Sequence, residues 1–340
     1  MNRNPQEILS IDSLRIGYFS GKTEKVLLPP LNAHAGTGEL IAVIGRNGIG
    51  KSTLLRTLTG LQKPLGGNIF YNNRNIREYS RMELAQEVGY ISTEIVRVSN
   101  MSVYDLVSLG RFPHTNWIGK IEDEDNLAIK DAIEKTSMTH LSGKFVSELS
   151  DGERQKAMIA RILAQDSGIM VMDEPTAFLD IAGKYEIFHL LHRLSINNNK
   201  TIIYSTHDLQ MAITQSDKIW LILDDDLIEG APEDLMLSGA FDHLFNSSTV
   251  LFNSSDGSFS FRSETRGSIF IAGEGRKRYW TEKSINRAGY RVSAVETNPY
   301  IIIPSEKDNL WQLVVPCGTK SCSSIYELIA ELNQVMGIPI

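Results

Sequence analysis

A chain of 340 residues is longer than one core of ordinary size fills, which suggests a domain of roughly 200 residues or slightly more with a smaller companion. With 42% hydrophobic and 22% charged residues it has the balance of a globular protein; no apolar run approaches the ~18 residues that cross a bilayer, and MNRNPQEILSI lacks a signal-peptide pattern, so a cytoplasmic chain is expected. A net charge of −7 lacks the basic excess that nucleic-acid backbones demand, and Cys317 and Cys322 are too few for a disulfide framework, with no His or Cys pair nearby to complete a zinc site.

From Ile8 to about Phe245 short apolar runs alternate with longer helical patterns, as in an α/β layer fold. ELIAVIG is a continuous apolar run, the mark of a strand buried on both faces. It leads into GRNGIGKST and then into the helical pattern LLRTLTGL, the strand and helix context that a P-loop requires. The expected nucleotide-binding loop is Gly45, Arg46, Asn47, Gly48, Ile49, Gly50, Lys51, Ser52 and Thr53. Its glycines let the backbone wrap a phosphate, so that N–H groups and the positive end of the helix dipole point at the anion. Lys51 adds a point charge on the β and γ phosphates, and Ser52 offers a hydroxyl to Mg²⁺.

Helical spacing recurs over Asp125–Met138, Arg154–Ala164 and Ile181–Leu194. GIMVMDEP is a second doubly buried strand, with Asp173 and Glu174 at its carboxyl end, where open α/β sheets present ligand-binding groups. Asp173 belongs on the Mg²⁺ side, and Glu174 is placed to orient or deprotonate the water that attacks the γ-phosphate. TIIYSTHD ends in the same way at His207, whose imidazole can hydrogen-bond the γ-phosphate and that water. A lone histidine is usually structural; a strand end beside two other site strands favours function. Asp224–Asp226, between two apolar runs, reads as an acidic hairpin turn rather than a metal site.

Around Asn246 the composition changes to NSST and NSSDGS, turn-forming stretches that mark a boundary between residues 1–246 and 247–340. The second part carries 10 Lys and Arg against 9 Asp and Glu, close to neutral. FSFRS, SIFIAG, YIIIP and WQLVV predict strands there, and Ser323–Met336 predicts a closing helix, giving a small α+β domain. GEGRKRYW, with Arg276, Lys277 and Arg278, reads as a solvated turn in preference to an anion site.

LSDGERQ, Leu149 to Gln155, starts a helix just before the Asp173 strand. With it the first ~245 residues resemble ABC transporter ATPases: a P-loop NTPase cassette with a helical signature subdomain, here followed by the small α+β domain. In that family two cassettes pack head to tail, each ATP lying between one P-loop and the partner's signature helix. The resemblance implies that Tyr18 stacks on adenine, that Ser150 and Gly152 contact the partner's γ-phosphate, and that Asp180 of FLD belongs to the nucleotide site. Two departures stand out. The signature usually reads LSGGQ, so Asp151 and Glu153 place two carboxylates near a polyanion and are expected to point away, paired with Arg154 or Lys156. The glutamine that normally ends a strand like VGYIS is missing, leaving Thr93 and Glu94 there, with Thr93 on the Mg²⁺ side.

VYDLVSLGRFPHTNW, with Phe112, His114 and Trp117, occupies the segment where the family's cassettes meet the membrane subunit, and LVSLGRFPHTNW resembles importers of ferric siderophores, haem and cobalamin. The implied partners are a second copy, a polytopic transmembrane permease and, indirectly, a substrate-binding protein, with this chain peripheral at the cytoplasmic face of the inner (plasma) membrane. The competing readings are a soluble ABC ATPase of translation or DNA repair, for which neither a second cassette nor a coiled-coil insertion is present, and a regulatory module without turnover, against which Glu174 and His207 argue.

Overall fold

The computed structural model describes residues 6–21, 23–93, 100–115, 120–245, 250–253, 257–261, 265–305 and 308–337. Glu94, Trp117, the NSST junction, Ser254 to Asp256 of NSSDGS, and Arg262 and Ser263 of FSFRS lie outside the described residues. The chain forms two compact units, Met1–Phe259 and Ser260–Ile340.

In the first unit β1 (Glu7–Arg15), the hairpin β2 (Gly17–Ser20) and β3 (Thr23–Val26), and β4 (Leu31–Gly36) precede β5 (Leu40–Gly45), the expected ELIAVIG strand. The glycine loop runs from β5 into α1 (Lys51–Leu58). β6 (Gly66–Tyr71) turns through Asn72 and Asn73, both at positive φ as a two-residue hairpin turn requires, into β7 (Arg74–Asn75). α2 (Arg81–Glu87) leads to β8 (Val88–Ile91), and α3 (Val103–Ser108), α4 (Asp123–Lys135) and α5 (Asp151–Ala164) follow. Then β9 (Ile169–Met172), α6 (Ile181–Asn198), β10 (Thr201–Ser205), α7 (Leu209–Gln215) and β11 (Lys218–Ile222) alternate. The acidic turn folds β12 (Leu227–Gly230) back antiparallel on β11. α8 (Pro232–Leu237) and α9 (Asp242–Phe245) precede the paired strands β13 (Val250–Asn253) and β14 (Ser258–Phe261). No helix among the described residues is long and apolar enough to cross a membrane.

The main sheet has the order β12-β11-β5-β10-β9-β8, and every pair except β11–β12 is parallel. A second, antiparallel sheet has the order β4-β1-β6-β7. β5 shows why its run is continuously apolar. Leu40, Ala42 and Ile44 enter a core shared with α3 to α6, while Ile41 and Val43 enter one shared with α1 and the antiparallel sheet. Burial of each of these Leu, Ile and Val side chains contributes about 1.5–3 kcal/mol. With β10 between β5 and β9 and all three parallel, the glycine loop, Asp173 with Glu174, and His207 emerge at one edge.

The second unit contains β15 (Gly267–Ala272), α10 (Arg276–Arg287), β16 (Tyr290–Ser293), β17 (Tyr300–Ile302), β18 (Trp311–Val315), β19 (Gly318–Cys322) and α11 (Ile325–Val335). Its sheet has the order β16-β15-β17-β18-β19, parallel over the first three strands and antiparallel over the rest. Ile269, Ile271, Ile301, Leu313 and Leu328 form its buried core. The expected solvated turn at GEGRKRYW is confined to its glycines, because α10 begins at Arg276. Lys277 Nζ donates to the carbonyls of Ser305 (2.8 Å) and Asp308, and Arg278 Nη1 to those of Ile271 and Gly273 (2.8 Å each), so these cations satisfy backbone.

Candidate nucleotide site

The glycine loop has the conformation that its glycines permit. Gly48 (φ 78°) and Gly50 (φ 117°) lie in the left-handed region, which an L side chain rarely adopts, and a Cβ at Gly48 would meet nothing within 4 Å. The loop is therefore open outward at Gly48, the fit a phosphate needs. Behind it, a Cβ on Gly50 would sit 3.4 Å from Ile16 and Leu27, at the base of the β2–β3 hairpin that carries Tyr18. Tyr18 is exposed, with Lys25 Nζ 5.3 Å from its ring centroid.

Lys51 is buried at the start of α1, its Nζ donating to the carbonyls of Gly45 (2.8 Å) and Arg46 (3.2 Å), which leaves one of three donors for a phosphate oxygen. Burial lowers its pKa from the ordinary lysine value, opposed by the charges of Glu174 and Asp173, which ties these three residues into one electrostatic site. Ser52 is exposed at the first helical turn, and Arg46 is anchored to Asp224 (3.2 Å) and to the Leu244 carbonyl (3.3 Å).

Asp173 is only 6% exposed; its N–H donates to the Ile91 carbonyl (2.9 Å), continuing the β8–β9 ladder by one residue. Glu174 turns away at φ 50°, a left-handed conformation uncommon for a non-glycine residue. Its Oε1 meets His207 Nε2 directly. The loop bearing His207 is fixed by Asp208, whose carboxylate accepts from Lys184 Nζ (2.9 Å) and from Met211 N (3.2 Å), capping α7. Sequence reasoning missed Ser205, whose hydroxyl donates to Asp173 Oδ1 (2.6 Å) and accepts from Glu174 N (2.9 Å). A serine ending the TIIYS strand, two residues before His207, was its only signal.

Ser150 caps α5 by accepting from Glu153 N (3.3 Å), and Glu153 accepts from Ser150 N (2.8 Å) and Oγ (3.0 Å), a reciprocal capping box. Asp151 pairs with Arg154 (2.7 Å), as expected. Glu153 does not pair with Lys156, which binds Glu186 (2.7 Å); the cap claims it first, because its N3 position puts it over the helix's unsatisfied N–H groups. A Cβ on Gly152 would meet nothing within 4 Å among the described residues, so none of them requires glycine there. Thr93 lines one cleft with Asp151, Arg154, Glu174 and Phe178. Asp180 caps α6 through Gly183 N (2.7 Å).

Phe112 lies in the 3-10 segment Leu109–His114 and is 66% exposed. The segment is pinned from behind: Arg111 pairs with Asp125 (2.8 Å) and donates to the Ala164 carbonyl (2.9 Å), both buried, and His114 Nε2 meets the Gln165 carbonyl (2.8 Å). Gly110 packs so closely that its Cβ would lie 2.0 Å from the Arg161 carbonyl oxygen.

A doubly wound sheet with its glycine loop, buried lysine and paired carboxylates at one edge defines a P-loop nucleotide-binding protein. Residues 28–177 match the ABC transporter family, and residues 266–333 match the iron ABC transporter C-terminal domain. Among similar proteins, the petrobactin import ATP-binding protein FpuC of Bacillus anthracis is 32% identical over 242 residues, 71% of this chain and 89% of that one. The iron(3+)-hydroxamate import ATP-binding protein FhuC of Bacillus subtilis is 36% identical over 204 residues, 60% of this chain and 74% of that one. A metal-chelate type ABC transporter in an inward-facing conformation superposes with a TM-score of 0.62 at 28% identity, covering 75% of this chain and 96% of that one. The chain belongs to the family of ABC transporter ATP-binding proteins.

Proposed function

We propose that this chain is the ATP-hydrolysing subunit of an importer for an iron chelate, a siderophore or haem, with cobalamin as the alternative cargo. The observation that carries the ATPase reading is the convergence of Lys51, Asp173, Glu174 and His207 at one sheet edge. Lys51 and the loop N–H groups hold the β and γ phosphates. Glu174 orients or deprotonates the attacking water, and His207 hydrogen-bonds the γ-phosphate. Mg²⁺, when bound with the nucleotide, offsets the phosphate charge; Ser52, Asp173 and Thr93 are its proposed holders, and the buried Asp173 carboxylate facing Lys51 suits that role. The direct contact between Glu174 and His207 favours turnover over a purely regulatory nucleotide sensor.

Ser150 and Gly152 are proposed to meet the γ-phosphate on a second copy of the chain, packed head to tail. Support comes from the α5 N-terminus, whose dipole favours an anion, and from the open space at Gly152. Tyr18 stacks on adenine, and Asp180 belongs to the nucleotide site. Phe112 and His114 face a membrane permease, which places the chain peripherally at the cytoplasmic face of the membrane and in indirect contact with a substrate-binding protein. The first domain binds nucleotide, and the second is an accessory domain that regulates or dimerises; the sequence boundary at 246/247 falls ahead of the division of the compact units after Phe259. The match of residues 266–333 to the iron ABC transporter C-terminal domain supports iron as cargo. The test is reconstitution with the permease and binding protein: an iron chelate is expected to stimulate ATP hydrolysis, and stimulation by cobalamin alone would reassign the cargo.

A further inference from the structure

We propose that Ser205 is a positioning residue for ATP hydrolysis: its single hydroxyl sets the Asp173 carboxylate and the Glu174 backbone together. The hydroxyl donates to Asp173 Oδ1 at 2.6 Å and accepts from Glu174 N–H at 2.9 Å, using its one proton and one of its two lone pairs. Both bonds cross from β10 to the end of β9, and the strand pairing itself stops short of them, at Tyr204 opposite Met172.

Among the described residues, those it touches have little other support at these atoms. Asp173 is held through its N–H by the Ile91 carbonyl of β8, so the Ser205 bond restrains its side chain from the opposite strand. Asp173 is buried, where a carboxylate oxygen without a donor is costly. Glu174 occupies a left-handed conformation, which persists only where neighbours enforce it, and its N–H is bound by Ser205. Two residues beyond Ser205, His207 meets Glu174 Oε1. Ser205 thus ties the strand bearing the histidine to both carboxylate residues. Its complete burial keeps water from replacing the hydroxyl.

This inference rests on the roles proposed above for Asp173 and Glu174, and its test separates the two. In Ser205→Ala, turnover is expected to fall about 10- to 100-fold, the scale of a hydrogen bond to a charged group. The KM for MgATP is expected to rise no more than several-fold, in step with the weaker Mg²⁺ effect, because Lys51 and the loop N–H groups are untouched and the larger loss falls on kcat. Calorimetric ATP affinity in EDTA is expected to match wild type, while the tightening brought by Mg²⁺ shrinks several-fold. Ser205→Thr retains a hydroxyl and is expected to restore both. Wild-type turnover with an unchanged Mg²⁺ effect in Ser205→Ala, or failure of Ser205→Thr to restore them, overturns the proposal; so does an Ala variant that does not fold, which would assign the hydroxyl to stability. Glu174→Gln, measured in parallel, separates the cases: if it keeps wild-type turnover, the carboxylate roles themselves are wrong.

Discussion

Glu174 Oε1 and His207 Nε2 hydrogen-bond each other across the ends of β9 and β10. Two groups proposed to act on the γ-phosphate and its attacking water thus contact one another directly. Glu174→Gln keeps the shape of the side chain and removes its basic oxygen. Turnover is expected to fall by at least about 100-fold while ATP binding stays intact and an ATP-bound dimer accumulates. Phosphate release and size-exclusion chromatography with ATP measure both; wild-type hydrolysis would remove Glu174 from its role.

Lys51→Ala acts at an earlier step. It deletes a buried ammonium proposed to face the phosphates, and a charge-assisted hydrogen bond of about 1.5–3 kcal/mol corresponds to roughly 10- to 100-fold weaker ATP binding. Calorimetry at physiological salt is the measurement, and unchanged affinity would count against the phosphate-loop assignment.

Glu153 gives the signature helix a pH signature. The N–H and hydroxyl of Ser150 hold its carboxyl below the ordinary value of 4.5. Because the folded-state pKa is the depressed one, its capping contribution is full above pH 4.5 and is lost as pH falls through the lower folded value. Glu153→Gln is expected to flatten this part of the acid-unfolding curve. In a Glu174→Gln background it is expected also to lower severalfold the ATP concentration for half-maximal dimerisation, since it removes a negative charge from a helix end proposed to face phosphate. An unchanged ATP requirement would show that this carboxylate stays clear of the nucleotide.

Phe112 is presented by a buried ion pair. Removing one partner in Arg111→Ala leaves Asp125 buried and uncompensated, and a loss of about 3–5 kcal/mol is expected in denaturant unfolding. Phe112→Ala is expected to leave stability within about 0.5 kcal/mol and the ATPase of the isolated subunit unchanged, while weakening its association with the permease. Wild-type association would place the permease contact elsewhere.

Truncation after Phe261 is expected to leave a folded cassette with ATP affinity within a few-fold of the full chain, while dimerisation or basal turnover shifts by roughly 1–3 kcal/mol. Truncation after Asn246 also removes Phe252 from its edge-on contact with Phe241, at 5.8 Å, and is expected to cost about 1–3 kcal/mol more stability. Thermal unfolding of the two proteins compares them; loss of ATP binding in a folded truncation would place the accessory residues in the site.

The sequence by itself determined the elements whose chemistry is local. A buried strand must be apolar on both faces, so ELIAVIG, GIMVMDEP and TIIYSTHD announced β5, β9 and β10, and what followed each run was the site: the glycine loop, Asp173 with Glu174, and His207. The P-loop was legible because its glycines answer a backbone demand that contiguous residues impose. Only the tertiary structure decided what depends on which strands become neighbours. Glu153 was expected to find a cation, but the N-terminus of α5 offered nearer donors, and Lys156 went to Glu186 on another helix. α10 was hidden in GEGRKRYW because its Lys277 and Arg278 are spent on carbonyls of residues distant in sequence or on the preceding strand. Ser205 was invisible for the same reason: a hydroxyl in a strand has no periodicity, and its partners, 31 and 32 residues away, come within reach only because β10 lies beside β9.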